Sequence, residues 1–384
     1  MSRNYFYVKK VNLTKVIALF FIGIFSAFLC IGVIVTSLQQ TKSAYFHKWL
    51  GELSMNGYML AFGSENHYFT QEYRHLNKEF SLSSFMLSTA TNIRFDDVRS
   101  LLGTELPGFA KYDTEILIAG EGTDYTNLPI ESSVPLEELS KERQGTGVQP
   151  PKNEVPKNPT PPAQSTGDKK VVFIYHTHSW ESYLPLLNLA GNPDANKATS
   201  PTTNISLFGE RFKEQLENKG IGATDDKTDV GKMLISKGLN TNSSYKMSRE
   251  LVQAAMTNNK ELQYFIDLHR DDARKQGTTK VIGNQSYARM MFVIGKGNRN
   301  YQKNMQLATQ LHEALQAKYP GLSRGVIQKD TRIGNGIYNQ DLSGQAILIE
   351  VGGVDNTVEE LNRSIDALAE VFGEYYWRAE KVNG

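Results

Sequence analysis

The sequence holds one cysteine in 384 residues. A single thiol excludes an internal disulfide framework and any paired-cysteine zinc or redox motif, so a metal bound here must use His and carboxylate ligands. Excess charge is also missing. Lys and Arg number 42 against 41 Asp and Glu, a formal charge of +1. Nothing in that balance attracts a polyanion such as nucleic acid. Internal repeats are absent, and histidines number only 7, so partners and chemistry have to be argued from particular sites.

One long apolar run is present. Val16 to Val35 carries no charge, and a helix of about 20 residues spans roughly 30 Å, the hydrocarbon thickness of a bilayer. Arg3, Lys9, Lys10 and Lys15 precede it without an acidic residue. The positive-inside rule therefore predicts a cytoplasmic tail at 1–15, a single-pass anchor at 16–38 and an extracytoplasmic remainder. A cleavable signal peptide normally has an apolar core of only ~7–15 residues ending at a small-x-small site, which this run does not match. Cys30 is read as a lipid-facing residue, because Phe28 and Leu29 stand where a lipoprotein signal wants small side chains.

Residues 41–128 read as a small extracytoplasmic domain. Its ELPGFAKYDTEILIAGEGTDYTNLP stretch mixes apolar residues with Gly, Asp and Tyr, the composition of a packed loop or a partner surface. Residues 129–168 follow, holding eight of the chain's 13 prolines among polar residues. Such a segment buries too little apolar area to offset its ordering entropy and is predicted to be an extended linker. From Lys169 the pattern changes. Apolar runs at 171–175, 264–268, 288–295 and 346–353 alternate with amphipathic stretches at 205–221, 245–259, 304–321 and 357–377. That alternation predicts one α/β domain over 169–384, with a mixed, mostly parallel sheet flanked by helices.

Reactive side chains of open α/β sheets collect beyond the carboxyl ends of the strands. Three of the four predicted strands end in candidates. The first runs into His176, His178 and Glu181, the second into His269, Arg270, Asp271 and Asp272, and the last into Glu350. Catalytic zinc takes three protein ligands and leaves a position open to water. His178, Glu181 and His269 supply that set, with Glu350 as the separate carboxylate that carries the proton. Alone, His269 reads as a loop histidine bonded to Asp271 or Asp272, and HxxE spacing is common by chance. Together with HTHSWES and a strand ending EVGG, the ligand reading is preferred. Alternation places His176 and His178 on one face, so either could ligate while the other orients it; His178 is preferred. Tyr338, Asn339 and Gln340, in the GNGIYNQDL loop, are candidate substrate contacts, with turn chemistry an equal alternative. His47, His67, His75 and His312 are read as surface or packing residues.

On these residues the chain resembles the stage II sporulation protein P family of endospore-forming bacteria. The resemblance rests on the anchor, ENHYF, ELPGFA…DTEILIAGEGTDYTNLP, the Pro-rich linker, KKVVFIYHTH…ESYLPLL, IDLHRD, YNQDL and EVGGVDN…EE, and covers almost the whole length. It implies a zinc-dependent peptidoglycan hydrolase of forespore engulfment, an N-acetylmuramoyl-L-alanine amidase with endopeptidase activity on cross-links. It also implies stage II sporulation proteins D and M as partners and a place in the engulfing mother-cell membrane. The C-terminal domain is further similar to zinc amidases with a strand-end LVExGF-type motif. That likeness implies ligands at His178 and His269 and a catalytic Glu at Glu350. Those amidases carry their ligand Glu just before the first helix, where this chain has SPTTN, so Glu181 must replace it or the third ligand lies elsewhere. A zinc carboxypeptidase shares the HxxE-plus-His logic, and a non-catalytic wall-binding scaffold is the remaining alternative.

Overall fold

The computed structural model describes residues 114–129, 134, 136–139, 162–331 and 334–383. The expected tail at 1–15, the anchor at 16–38 and most of 41–128, with His47, His67 and His75, lie outside the described residues. Among the described residues no helix is long and apolar enough to cross a membrane.

In chain order the elements are β1 (Glu115–Ala119), β2 (Val172–Tyr175), α1 (Ser206–Asn218), β3 (Ala223–Asp225), α2 (Val230–Ser236), α3 (Ser244–Asn258) and β4 (Tyr264–Asp271). A hairpin of β5 (Thr279–Ile282) and β6 (Gln285–Ala288) follows. Then come β7 (Met290–Gly295), α4 (Tyr301–Lys318), β8 (Ser323–Lys329), β9 (Ala346–Gly353) and α5 (Val358–Asn383). Seven strands form one sheet in the order β1-β8-β7-β9-β4-β2-β3. β9, β4, β2 and β3 run parallel. β7 and β8 are parallel to each other, and β7 is antiparallel to β9. The mixed, mostly parallel sheet flanked by helices is the architecture the sequence predicts.

Strand alternation explains the two faces. Val172 and Ile174 of β2, Ile266 and Leu268 of β4, and Ile347, Ile349 and Val351 of β9 join one core cluster with Phe208 and Phe212 of α1, Leu311 of α4 and Phe372 of α5. Intervening residues point the other way. Phe173, Tyr175 and Phe265 pack with Val252 of α3. Both faces are thus buried, which is why these strands read as unbroken apolar runs. The start of α5 is fixed by a capping box. Glu360 Oε2 accepts from Thr357 N at 3.0 Å, and Glu360 N donates to Thr357 Oγ1 at 3.4 Å, satisfying donors that a helix N-terminus leaves unpaired.

Two expectations about boundaries need correction. β1 lies in the stretch assigned to a separate domain ending at 128, yet it pairs antiparallel with β8 in the main sheet. Its EILIA run needs a partner for its backbone polar groups, and the nearest free edge belongs to β8. The 129–168 region is not spacer throughout. Val134 and Leu139 are buried against Trp180, Val230, Leu234 and Met247, and Thr166 N donates to Gly220 O at 2.8 Å. A few apolar side chains suffice to dock a segment whose average composition is polar.

Candidate metal centre

The α3 face of the sheet carries the site. Since Phe265 faces α3, alternation puts Asp267 and His269 on that face as well. Glu350 follows from the same rule on β9, and the parallel register pairs it directly with His269. β2 stops at Tyr175, and a turn over 177–180 swings the chain across the strand end. His176 and His178 therefore do not share a face, contrary to the alternation argument, because the extended backbone ends before them. His176 stays on the α1 side, where Nε2 lies 3.0 Å from Asp225 Oδ1. His178 reaches the α3 side.

His178, Glu181 and His269 converge, each offering a ligand atom within 4.8 Å of the others. His178 Nδ1 is 3.1 Å from Glu181 Oε1, and His269 Nδ1 is 3.6 Å from Glu181 Oε2. The two imidazoles meet edge to face with centroids 4.8 Å apart. Glu181 is held by backbone on every side. Its N–H donates to His178 O at 3.0 Å, its carbonyl accepts from Ile205 N at 2.7 Å, and it forms a bridge with Thr199. The SPTTN segment forms part of the loop that pins Glu181. Arg270 N adds a hydrogen bond to Glu181 Oε2 at 2.8 Å.

Behind His269 stands Asp267, which sequence reasoning missed. His269 Nε2 lies 3.1 Å from Asp267 Oδ1, close enough for an ion pair but not aligned as a hydrogen bond. Asp267 in turn accepts from Thr177 N at 2.9 Å and Thr177 Oγ1 at 2.6 Å. Thr177 Oγ1, with its proton directed to Asp267, accepts from Ser248 Oγ at 2.8 Å, and Asn339 Nδ2 donates to Ser248 Oγ at 2.9 Å. A carboxylate behind a ligating imidazole is the usual device for fixing ring orientation. The available signal was period-2 alternation, which puts Asp267 beside His269 on any strand through YFIDLH.

Aromatic rings wall the cluster. Trp180 packs on His178 at 4.9 Å, and Tyr245 lies stacked on His269 at 6.2 Å and edge-on to Tyr338 at 5.2 Å. Of the loop candidates, Tyr338 and Asn339 have positive φ of 54° and 56°. Gln340 holds the loop, accepting from Gly295 N at 2.9 Å and donating to Val293 O at 2.8 Å. His312, on α4, is buried with Nδ1 2.7 Å from Ser323 Oγ. It is a packing residue.

The electrostatics favour a cation. Burial opposes charge on His269, yet Asp267, Glu181 and Glu350 outweigh it and pull the imidazole pKa up to about 10. Burial likewise opposes ionisation of Glu181, but the His178 hydrogen bond and the His269, His178 and Arg270 charges hold its carboxyl down, to about 2. Glu350 has no comparable support. Burial pushes it up to about 8, with Glu181 and Asp271 adding to the shift and His269 and Lys329 opposing it. Among the described residues its Oε2 has no hydrogen-bond partner. The carboxylates around it favour positive charge at His269. A dication competes for the same place. Two imidazoles and one carboxylate form a donor set that fits zinc, and the second buried carboxylate, Glu350, stands beside it.

The sequence matches the stage II sporulation protein P (SpoIIP) family over residues 96–373. The chain belongs to the stage II sporulation protein P family. It is 47% identical over 375 residues to stage II sporulation protein P of Bacillus subtilis (strain 168), covering 96% of this chain and 93% of that relative. Family membership makes it a sporulation protein. Among solved structures, Cwp6 from Clostridium difficile overlaps 54% of this chain and 28% of its own, with a TM-score of 0.32 and 15% identity. An overlap that slight carries no argument about this family's site.

Proposed function

We propose that the chain is a zinc-dependent peptidoglycan hydrolase that cleaves the N-acetylmuramoyl-L-alanine amide and also stem-peptide cross-links. The observation that carries this reading is the convergence of His178, Glu181 and His269 within 4.8 Å, with Glu350 beside His269 in the register. His178, Glu181 and His269 would hold the zinc, which when bound supplies a hydroxide near neutral pH and polarises the amide carbonyl. Glu350 would accept the proton of the attacking water and pass it to the leaving amine. Its carboxyl, raised to about 8, falls when a dication lies beside it, toward the range a two-way proton carrier needs. Asp267 would fix the His269 ring, and the Trp180 and Tyr245 rings would restrict water at the site. The Val16–Val35 run would anchor the chain in the engulfing mother-cell membrane, with the catalytic domain outside and stage II sporulation proteins D and M as partners.

The test is hydrolysis of purified sacculi by the full chain and by Glu350→Gln. Release of stem peptides from glycan is expected to fall about 10²- to 10⁴-fold with the fold intact. Full activity in the variant overturns the proton-carrier role. Trimming of C-terminal residues alone would identify a carboxypeptidase instead.

A further inference from the structure

The EGTDYTNLP loop after β1 has no part in the metal centre, yet it forms one wall of a cavity of about 730 Å³. The opposite wall is the segment that follows β4, and its lining includes Glu121, Asn127, Asp272, Arg274, Lys280 and Arg289. Most of these charges are balanced. Lys280 Nζ lies 2.7 Å from Glu121 Oε1, Arg274 Nη2 lies 2.8 Å from Asp355 Oδ1, and Asp272 is bonded to Arg270. Arg289 differs. It is 8% exposed, and among the described residues no carboxylate forms an ion pair with it.

Its guanidinium donates only to carbonyls, from Nε to Gly321 O at 2.9 Å, from Nη1 to Gly277 O at 3.5 Å and from Nη2 to Glu121 O. A guanidinium has five N–H groups, so two remain. Burial and the nearby Arg324 pull its pKa down to about 10, and the charge of Glu121, itself paired with Lys280, opposes the shift only in part. Burying an unpaired charge is costly. An anion entering from solvent would relieve that cost with a charge-assisted bond of the kind guanidinium makes to carboxylates.

We propose that this cavity is a carboxylate-binding subsite, in which Arg289 receives a free carboxylate of the peptide whose amide is presented to the His178, Glu181 and His269 cluster. β4 links the two places. Asp272, in the cavity wall, follows His269 by three residues, about 10 Å at ~3.3 Å per extended residue, so that wall begins within two or three peptide residues of the cluster. The subsite rests on the peptidoglycan reading for its ligand, since stem peptides carry free carboxylates.

The test is calorimetric titration of the full-length protein with synthetic L-Ala-γ-D-Glu-diaminopimelate and with the same tripeptide amidated at every carboxylate. The free acid is expected to bind about tenfold more tightly. Gln276, exposed on the cavity rim, permits a variant that spares the packing. Gln276→Glu is expected to cost the free acid about tenfold by like-charge repulsion and to leave the amide unaffected, with Gln276→Ala near wild type. Arg289→Met should abolish the discrimination, and should it fail to fold, Gln276→Glu decides. Equal binding of acid and amide, or a Gln276→Glu affinity equal to wild type, overturns the subsite and leaves sacculus hydrolysis untouched as a separate matter. Discrimination that persists while Glu350→Gln keeps full hydrolytic activity supports the subsite and sinks only the proton-carrier reading.

Discussion

Asp267 is fully buried, and the pairing it makes with His269 Nε2 is ionic. Replacing it with Asn keeps an acceptor for Thr177 N and removes the charge that sets the His269 ring. Zinc affinity of Asp267→Asn, measured by competition with a chromogenic chelator, is expected to fall about 10- to 100-fold with little change in melting temperature. Unchanged affinity would assign Asp267 to the fold alone. At this scale much of the site was legible. Strand-end residues His178, His269 and Glu350 could be picked out because apolar runs announce where strands stop. Asp267 was passed over although alternation places it beside His269, because a carboxylate inside a strand looks like an interruption until its partners are known. The separation of His176 from His178 could not be picked out, since it depends on β2 ending at Tyr175, a boundary set by turn geometry rather than by hydrophobicity.

Two helices show how elements hold the site in place. In α1, Gly209 faces the His176–Asp225 pair, and an added Cβ would lie 2.6 Å from His176 Nε2 and 2.5 Å from Asp225 Oδ1. Both partners are buried side chains with little room to retreat. Gly209→Ala is expected to destabilise by about 1–3 kcal/mol through overpacking, despite the better helix propensity of Ala, and chemical denaturation would measure it. In α4, burial holds the His312 pKa below the ordinary imidazole value. A basic group depressed in the folded state binds its proton first in the unfolded chain, so its contribution is complete above the unfolded pKa and shrinks as pH falls toward the folded one. The melting temperature of wild type should therefore drop more from about pH 7 to about pH 5 than that of His312→Gln. An identical drop in both would show that His312 does not titrate against folding. The elements themselves were legible where they were long and apolar, as β4, β7 and β9 are. β8, SRGVIQK, was not, because Arg324, Gln328 and Lys329 are buried in it through specific partners that no local pattern reveals. β3 has three residues, too few for a period.

Across the whole molecule, the segment before the Pro-rich stretch is stapled to the domain that follows it. β1 covers the edge of β8. Arg324, paired with buried Asp271, also donates to Asn127 O, and Lys329 Nζ donates to Pro129 O at 3.2 Å. Leu128, Val134 and Leu139 are each no more than 5% exposed. Reading 41–128 as a unit apart missed this, since pairing between strands some 200 residues apart leaves no local mark, although the EILIA run itself was visible. The consequence concerns truncation. A fragment of residues 169–384 keeps every proposed ligand but leaves β8 as an open edge, loses the three buried apolar side chains Leu128, Val134 and Leu139, and strips Arg324 of a backbone acceptor. Burial of each such side chain contributes about 1.5–3 kcal/mol, and 1 kcal/mol corresponds to roughly 2–4 °C for a domain of this size. The fragment is expected to melt at least about 10 °C below one spanning 98–384 and to self-associate through its exposed strand, which scanning calorimetry and light scattering would register. Matching melting temperatures would mean that β1 merely rests on the sheet, and that the cavity it walls is not part of the folded core.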